Sequence, residues 1–211
     1  MERSVCIMAS TLLSMLFYLT MIIYFYVGMH AYYLNPKERI NRSFFYLCCS
    51  TSVWAFSFSL MNHAETIGGG RYLFLMSVIG WGTFYSILLH HLILTSGLDI
   101  VLKRKQLAAI YFPVPVTVVI FFISASGGEL IQVIRKHDKS WLIYQPDILL
   151  DSWMALYFAV FMMLAIFLVS RNLKKSTDRV LRKEILAILV GLHVSLIIGI
   201  FTVSQHHRPS P

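Results

Sequence analysis

The sequence predicts an all-α fold: a polytopic transmembrane helical bundle with six spanning helices and the N-terminus outside. Three observations carry that expectation. Of the 211 residues, 57% are hydrophobic and only 13% charged, whereas about 25% are charged in an ordinary soluble domain. A soluble fold of this length cannot hide so much apolar surface, but a bilayer can cover it. The apolar residues also fall into six runs, at about 7–33, 43–64, 72–96, 107–126, 152–170 and 185–205, lengths that suit a hydrocarbon core needing roughly 20 residues per helix. Finally, the charge alternates between connections. Loops 34–42, 98–106 and 171–184 hold twelve of the 18 basic residues, which places them on the cytoplasmic side.

The first run follows Glu2 and Arg3 and is too long for the apolar core of a secretory signal, roughly 7–15 residues. It reads as a retained helix. After it comes "LNPKERINRSF". Pro36 disfavours helical geometry at Asn35, and Lys37, Arg39 and Arg42 hold this turn at the inner face. The third run contains "GWG" (Gly80 to Gly82) and the pair His90 and His91. The fourth contains "FPVPV", where Pro113 and Pro115 should bend the helix and release carbonyls. Residues 127–151 form the one long connection and read as a loop of mixed composition. Residues 1–211 make a single domain with no internal repeat, so inverted-repeat transporter architectures find no support.

The net charge of +8 does not imply nucleic acid as a partner, because topology and contact with anionic headgroups account for where it sits. The lipid bilayer is the expected partner, and a multi-pass position in the cell membrane the expected location. All ten carboxylates fall in loops or at helix ends. A proton- or sodium-coupled carrier would need one deeper, since ionisable groups inside the membrane mark such pathways. Glycine-rich phosphate loops, G-x-S-x-G, H-E-x-x-H and C-x-x-C are all missing from the sequence, so no catalytic residue, metal or cofactor is expected. Cys6, Cys48 and Cys49 lack both disulfide and metal-ligand spacing.

The polar and aromatic residues within the runs are the remaining candidates. His193 lies about 12 Å into the sixth run at 1.5 Å per residue; His90 lies near the inner end of the third. Trp54, Trp81 and Tyr85 sit at membrane depth. Packing explains the rings and a helix–helix hydrogen bond explains each histidine. The sharper reading is a small ligand cavity lined by Trp54, Trp81, Tyr85, His90 and His193. Trp153, near the outer interface, fits an aromatic belt.

Three segments carry a family resemblance: "LNPKERINRSFFYLCCSTSVWAFSFSL" (34–60), "GWGTFYSILLHHLILTSG" (80–97) and "FLVSRNLKKSTDRVLRKEILAILVGL" (167–192). Asn35-Pro36 followed by basic residues, Leu89-His90 followed by Thr95 and Gly97, and the basic loop from Arg171 to Lys183 make the chain resemble the N-terminal seven-transmembrane sensor region of bacterial histidine kinases. The resemblance implies a membrane-embedded sensory module of a signal-transduction protein, with a cytoplasmic or membrane signalling partner and a homodimer as its associations. Six crossings from an outside N-terminus leave the C-terminus outside, and no phosphoacceptor helix or ATP-binding domain is found. The expectation is therefore a sensor truncated after six helices or a stand-alone module, without enzymatic activity of its own. The alternative is a small transporter or permease for a neutral substrate.

Overall fold

A computed structural model of the chain describes residues 2–61, 67–95, 103–126, 131–136, 139–144, 147–175 and Val190. It contains α1 (Glu2–Leu34), α2 (Arg39–Met61), α3 (Ile67–Thr95), α4 (Arg104–Tyr111), α5 (Pro113–Ser126), β1 (Ile131–Lys136), β2 (Lys139–Tyr144) and α6 (Ile148–Lys175). Among the described residues, five helical segments are long and apolar enough to cross a membrane, α4 and α5 together forming one of them. The predicted sixth run, 185–205, and His193 within it lie outside the described residues.

The helices outrun their apolar cores, because a helix satisfies its own backbone groups and can continue into the polar interface. The clearest case is α2, which begins at Arg39 rather than at 43. The turn before it is correspondingly short. The Glu38 N–H donates to the Asn35 carbonyl and the Arg42 N–H to the Glu38 carbonyl, both at 3.2 Å. Arg39 and Arg42 thus belong to the start of a helix and not to the turn. A carboxylate caps the start of α6. Asp147 accepts from the Leu150 N–H at 2.7 Å and from the Ser124 hydroxyl at 2.9 Å. An anionic cap suits the positive end of a helix, and here it also ties the end of α5 to the start of α6.

The connection expected to be a loop contains a two-stranded antiparallel hairpin, with Ile131 opposite Tyr144 and Lys136 opposite Lys139. "IQVIRK" and "KSWLIY" are rich in β-branched and aromatic residues that favour strands, and only two residues separate them. The fold is all-helical in its spanning part and carries this hairpin between α5 and α6.

In the bundle α3 occupies the middle. It packs against α2 on one side and against α4, α5 and α6 on the other. Phe74, Val78, Phe121 and Leu150 form a core cluster at one end of α3, and Leu92, Met162, Ala165 and Val169 form another at the opposite end. These pairings make α6 run parallel to α3, and α4–α5 antiparallel to it. Leu12, Leu16, Leu19, Ile23 and Tyr26 leave α1 with an exposed apolar face, as expected of a surface covered by lipid.

Lipid offers no hydrophobic drive between helices, so close approach and hydroxyl bonds must hold them together. Small residues at the helix crossings supply both. A Cβ on Gly80 of α3 would lie 2.6 Å from the Trp54 backbone nitrogen and 2.9 Å from its Cα. At the same crossing the Ser50 hydroxyl donates to the Gly80 carbonyl. Toward α1, Ser59 donates to the Ser14 carbonyl (3.0 Å), while the Ser52 hydroxyl, bonded to the Cys48 carbonyl of its own helix at 2.8 Å, comes within 3.3 Å of the Met21 carbonyl. A Cβ on Gly28 would meet Cys48 Cβ at 2.6 Å.

Gly80→Ala therefore pushes two backbones apart. We expect a loss of about 1–3 kcal/mol, the usual cost of overpacking, read as a lower midpoint of thermal unfolding in detergent. Gly68→Ala, where a Cβ meets nothing within 4 Å, is the control. There alanine should raise stability by up to ~1 kcal/mol through helix propensity.

Candidate functional site

On α3 the stretch "GWGTFYSILLHH" places Trp81, Tyr85 and Leu88 about one turn apart, and Gly82, Ser86 and Leu89 along the neighbouring row. The second row faces α4 and α6 and generates a polar group that joins three helices. Ser86, fully buried, donates its hydroxyl to the Ile110 carbonyl of α4 at 2.6 Å. Its oxygen lies 2.7 Å from the Tyr157 hydroxyl of α6, which donates to the Gly82 carbonyl of α3 at 2.9 Å. Ile110 sits just before the two prolines, whose missing N–H groups interrupt the helical ladder. Phe112, between α4 and α5, keeps right-handed helical dihedrals (φ −55°, ψ −38°) and donates to the Ala108 carbonyl at 2.8 Å, so the chain stays helical up to Pro113.

Two hydroxyls carry two protons between them, yet three oxygen–oxygen contacts lie within hydrogen-bond distance. Ser86 can satisfy Ile110 or Tyr157, and Tyr157 can satisfy Gly82 or Ser86. One contact is always left without a proton. The chain of groups thus has more than one proton arrangement: while Ser86 donates to Ile110 both α4 and α6 are bonded to α3, and when Ser86 donates to Tyr157 only α6 is. Beside it, Thr117 of α5 both accepts and donates: it takes the Trp153 indole N–H (2.9 Å) and gives its own proton to the Pro113 carbonyl (2.8 Å). Trp153 is therefore not simply an interfacial anchor, since its N–H joins α6 to α5.

The residues expected to line one ligand cavity are distributed along the bundle. Trp54 sits at the α2 crossing, edge-on to Phe17 at 5.7 Å and beside Phe58 at 5.6 Å. Trp81 packs against the Phe74–Val78–Phe121–Leu150 cluster. Tyr85 makes edge contacts with Tyr157 (5.6 Å) and Phe158 (5.2 Å). His90 lies toward the basic end, with Nδ1 3.0 Å from the Tyr111 hydroxyl. There it borders a cavity of about 370 Å³ that Trp54, Trp81 and Tyr85 do not line. His90 shares that space with Arg39 and Arg42, to which the sequence assigned only a topological role. Among the described residues no group of three His, Cys, Asp or Glu side chains is placed to hold a metal ion.

Ser86, Ser43 and Thr117 do not stand out in the sequence. Ser43 of α2 bonds His91 Nδ1 at 2.8 Å. A signal was present in the spacing of Ser43, Ser50 and Ser57, seven residues apart, which keeps small hydroxyl side chains on one seam of a helix.

Removing the Tyr157 hydroxyl deletes both of its contacts. Tyr157→Phe and Ser86→Ala should each lower stability by about 0.5–2 kcal/mol. The double variant should lose less than the sum, because the two groups share one network. A double-mutant cycle by thermal unfolding in detergent checks the coupling.

Residues 11–211 match the family model described as the N-terminal 7TM region of histidine kinase. No curated protein and no solved structure gave a significant match.

Proposed function

The chain belongs to the N-terminal 7TM region family of histidine kinases, and on that premise we propose that it senses a stimulus at or within the cell membrane and relays it by changing how α4 and α6 pack on α3. The observation that carries the reading is the Ile110–Ser86–Tyr157–Gly82 chain, in which two protons serve three contacts across three helices. A relay needs an element with two arrangements of similar free energy, and a stimulus acts by preferring one of them. The prolines that follow Ile110 support this, because a helix that has lost ladder bonds bends at lower cost. Trp81 and Tyr85, on the adjoining face of α3, are the rings through which an apolar or lipid stimulus would bias the choice.

We place the basic end of the bundle, with Lys37, Arg39, Arg42 and Lys103 to Lys105, in the cytoplasm and the N-terminus outside, following the excess of basic residues in those connections. The output partner then meets the bundle at that end.

Spin labels test the relay. With the three native cysteines replaced by alanine, Phe112→Cys and Phe167→Cys, both at exposed positions, report the distance between α4–α5 and α6 in lipid vesicles. Two populations are expected, and Tyr157→Phe should shift their ratio. A single distance distribution, unchanged by that substitution, would sink the reading. The orientation has its own check. In intact cells Gly68→Cys should react with a membrane-impermeant maleimide while Lys37→Cys stays protected; the reverse pattern inverts the topology.

A further inference from the structure

At the basic end, the first turns of α2, the last turns of α3 and α4 line the cavity of about 370 Å³. That size falls within the roughly 300–1,000 Å³ of small-molecule sites. Arg39 and Arg42, both exposed, come from α2. Tyr46 stands a turn further along, His90 and Tyr111 approach from α3 and α4, and Leu94 and Leu107 supply apolar wall. No carboxylate is among these lining residues. Glu38, next to Arg39 in sequence, does not line the space.

We propose that this cavity binds a phosphate-bearing ligand, held by the Arg39 and Arg42 guanidinium groups and the hydroxyls of Tyr46 and Tyr111. It stands independently of the relay described above.

Topology alone accounts for basic residues in a loop, but these two arginines are in a helix and border a concave space with four further polar side chains, Ser43, Tyr46, His90 and Tyr111. Their position is also unfavourable in isolation. The first turn of α2 contains no acidic residue, and cations there oppose the positive end of the helix dipole. An anion between the two arginines reverses that interaction. The guanidinium fork matches phosphate oxygens in pairs, and each phenol adds one donor. His90 completes the donor set indirectly. Nδ1 lies 3.0 Å from the Tyr111 oxygen, so the tautomer that donates from Nδ1 leaves the phenol proton free for the anion. The rings meet edge-on at 5.8 Å and 90°, which fixes the Tyr111 hydroxyl beside the cavity. Ser43, also on the cavity wall, bonds both the Ile40 carbonyl and His91 Nδ1 at 2.8 Å, so the first turn of α2 is tied to α3. Leu94 and Leu107 provide apolar surface for whatever the phosphate is attached to.

The ligand has two sources: the headgroup of an anionic phospholipid, or a phosphate-bearing solute. The full chain in phosphatidylcholine nanodiscs tests both. In one arm phosphatidylglycerol is titrated into the bilayer; in the other, inorganic phosphate is added to the buffer at constant ionic strength. The unfolding midpoint is followed in each. A saturable rise in the first arm alone assigns a lipid headgroup, and a rise in the second assigns a solute phosphate.

Arg39→Gln with Arg42→Gln should raise the half-saturating concentration at least tenfold. Tyr111→Phe keeps both charges and should raise it about threefold, which retains a test if the double variant fails to fold. Neutralising Lys103, Arg104 and Lys105 to glutamine removes more charge at the same end, none of it from a residue lining the cavity. That triple variant should change the value less than twofold. No rise in either arm overturns the proposal. So does an equal response from Arg39→Gln with Arg42→Gln and the wild-type chain, or a loss in the triple variant as large as theirs, which would reduce the effect to general attraction between a basic surface and anions.

Discussion

The near-contact between Gly80 and the backbone of Trp54 is the constraint on which the bundle depends. Water drives apolar helices together, but a bilayer does not, so these helices must be held by dispersion at short range and by hydrogen bonds to carbonyls. Both require backbones to come close. Glycine at position 80 permits it, Ser50 uses the resulting proximity to reach the Gly80 carbonyl, and the rest of α3 inherits its position from that crossing. Ser43 can bond His91 because α2 and α3 are already in register. On the far side, α3 presents Gly82 and Ser86 at the depth where α4 has lost ladder bonds to prolines and where α6 offers Tyr157. One close approach thus sets the geometry of a polar group that joins three helices.

Much of this architecture was legible in the sequence, for physical reasons that also explain the gaps. The first five spanning runs were legible because the demand of a hydrocarbon core for length and apolarity acts on every residue alike. The lost ladder donors at Pro113 and Pro115 were legible because a missing N–H is a property of the residue itself. The start of α2 was not, since nothing forbids a helix from continuing into the interface; hydropathy marks where the oil begins and not where the helix does. The hairpin was hidden in the same way. Its alternation is short, and beside long apolar runs the residues from Ile131 to Tyr144 resemble a charged loop.

The candidate site was less legible than the fold. Aromatic residues were the visible features, and the structure distributes them: Trp54 to the α2 crossing, Trp81 to a core cluster, Tyr85 to the α6 face. The polar work falls to serines, a threonine and a tyrosine that look ordinary in a sequence. A serine buried to zero exposure, such as Ser86, cannot be told from a surface serine until its neighbours are known. Arg39 and Arg42 show the converse case. Their charge is obvious in the sequence, and a topological explanation is sufficient for it. Only the cavity they share with His90 and Tyr111 supports the second role proposed for them.

The position of the Gly80 crossing has a mechanical consequence. It divides the 29-residue α3 into two arms of nearly equal length, each roughly 20 Å at 1.5 Å per residue. A rod held at its middle behaves as a seesaw. A tilt of about ten degrees, small beside the scatter of ordinary helix crossings, swings each tip by ~3.5 Å, and in opposite directions. The arm that bears Phe74 and the arm that bears His90 and His91 would in such a tilt move as counterparts, each carrying the core cluster packed against it. The packing at both rims, and not the crossing alone, then sets how far either tip can swing.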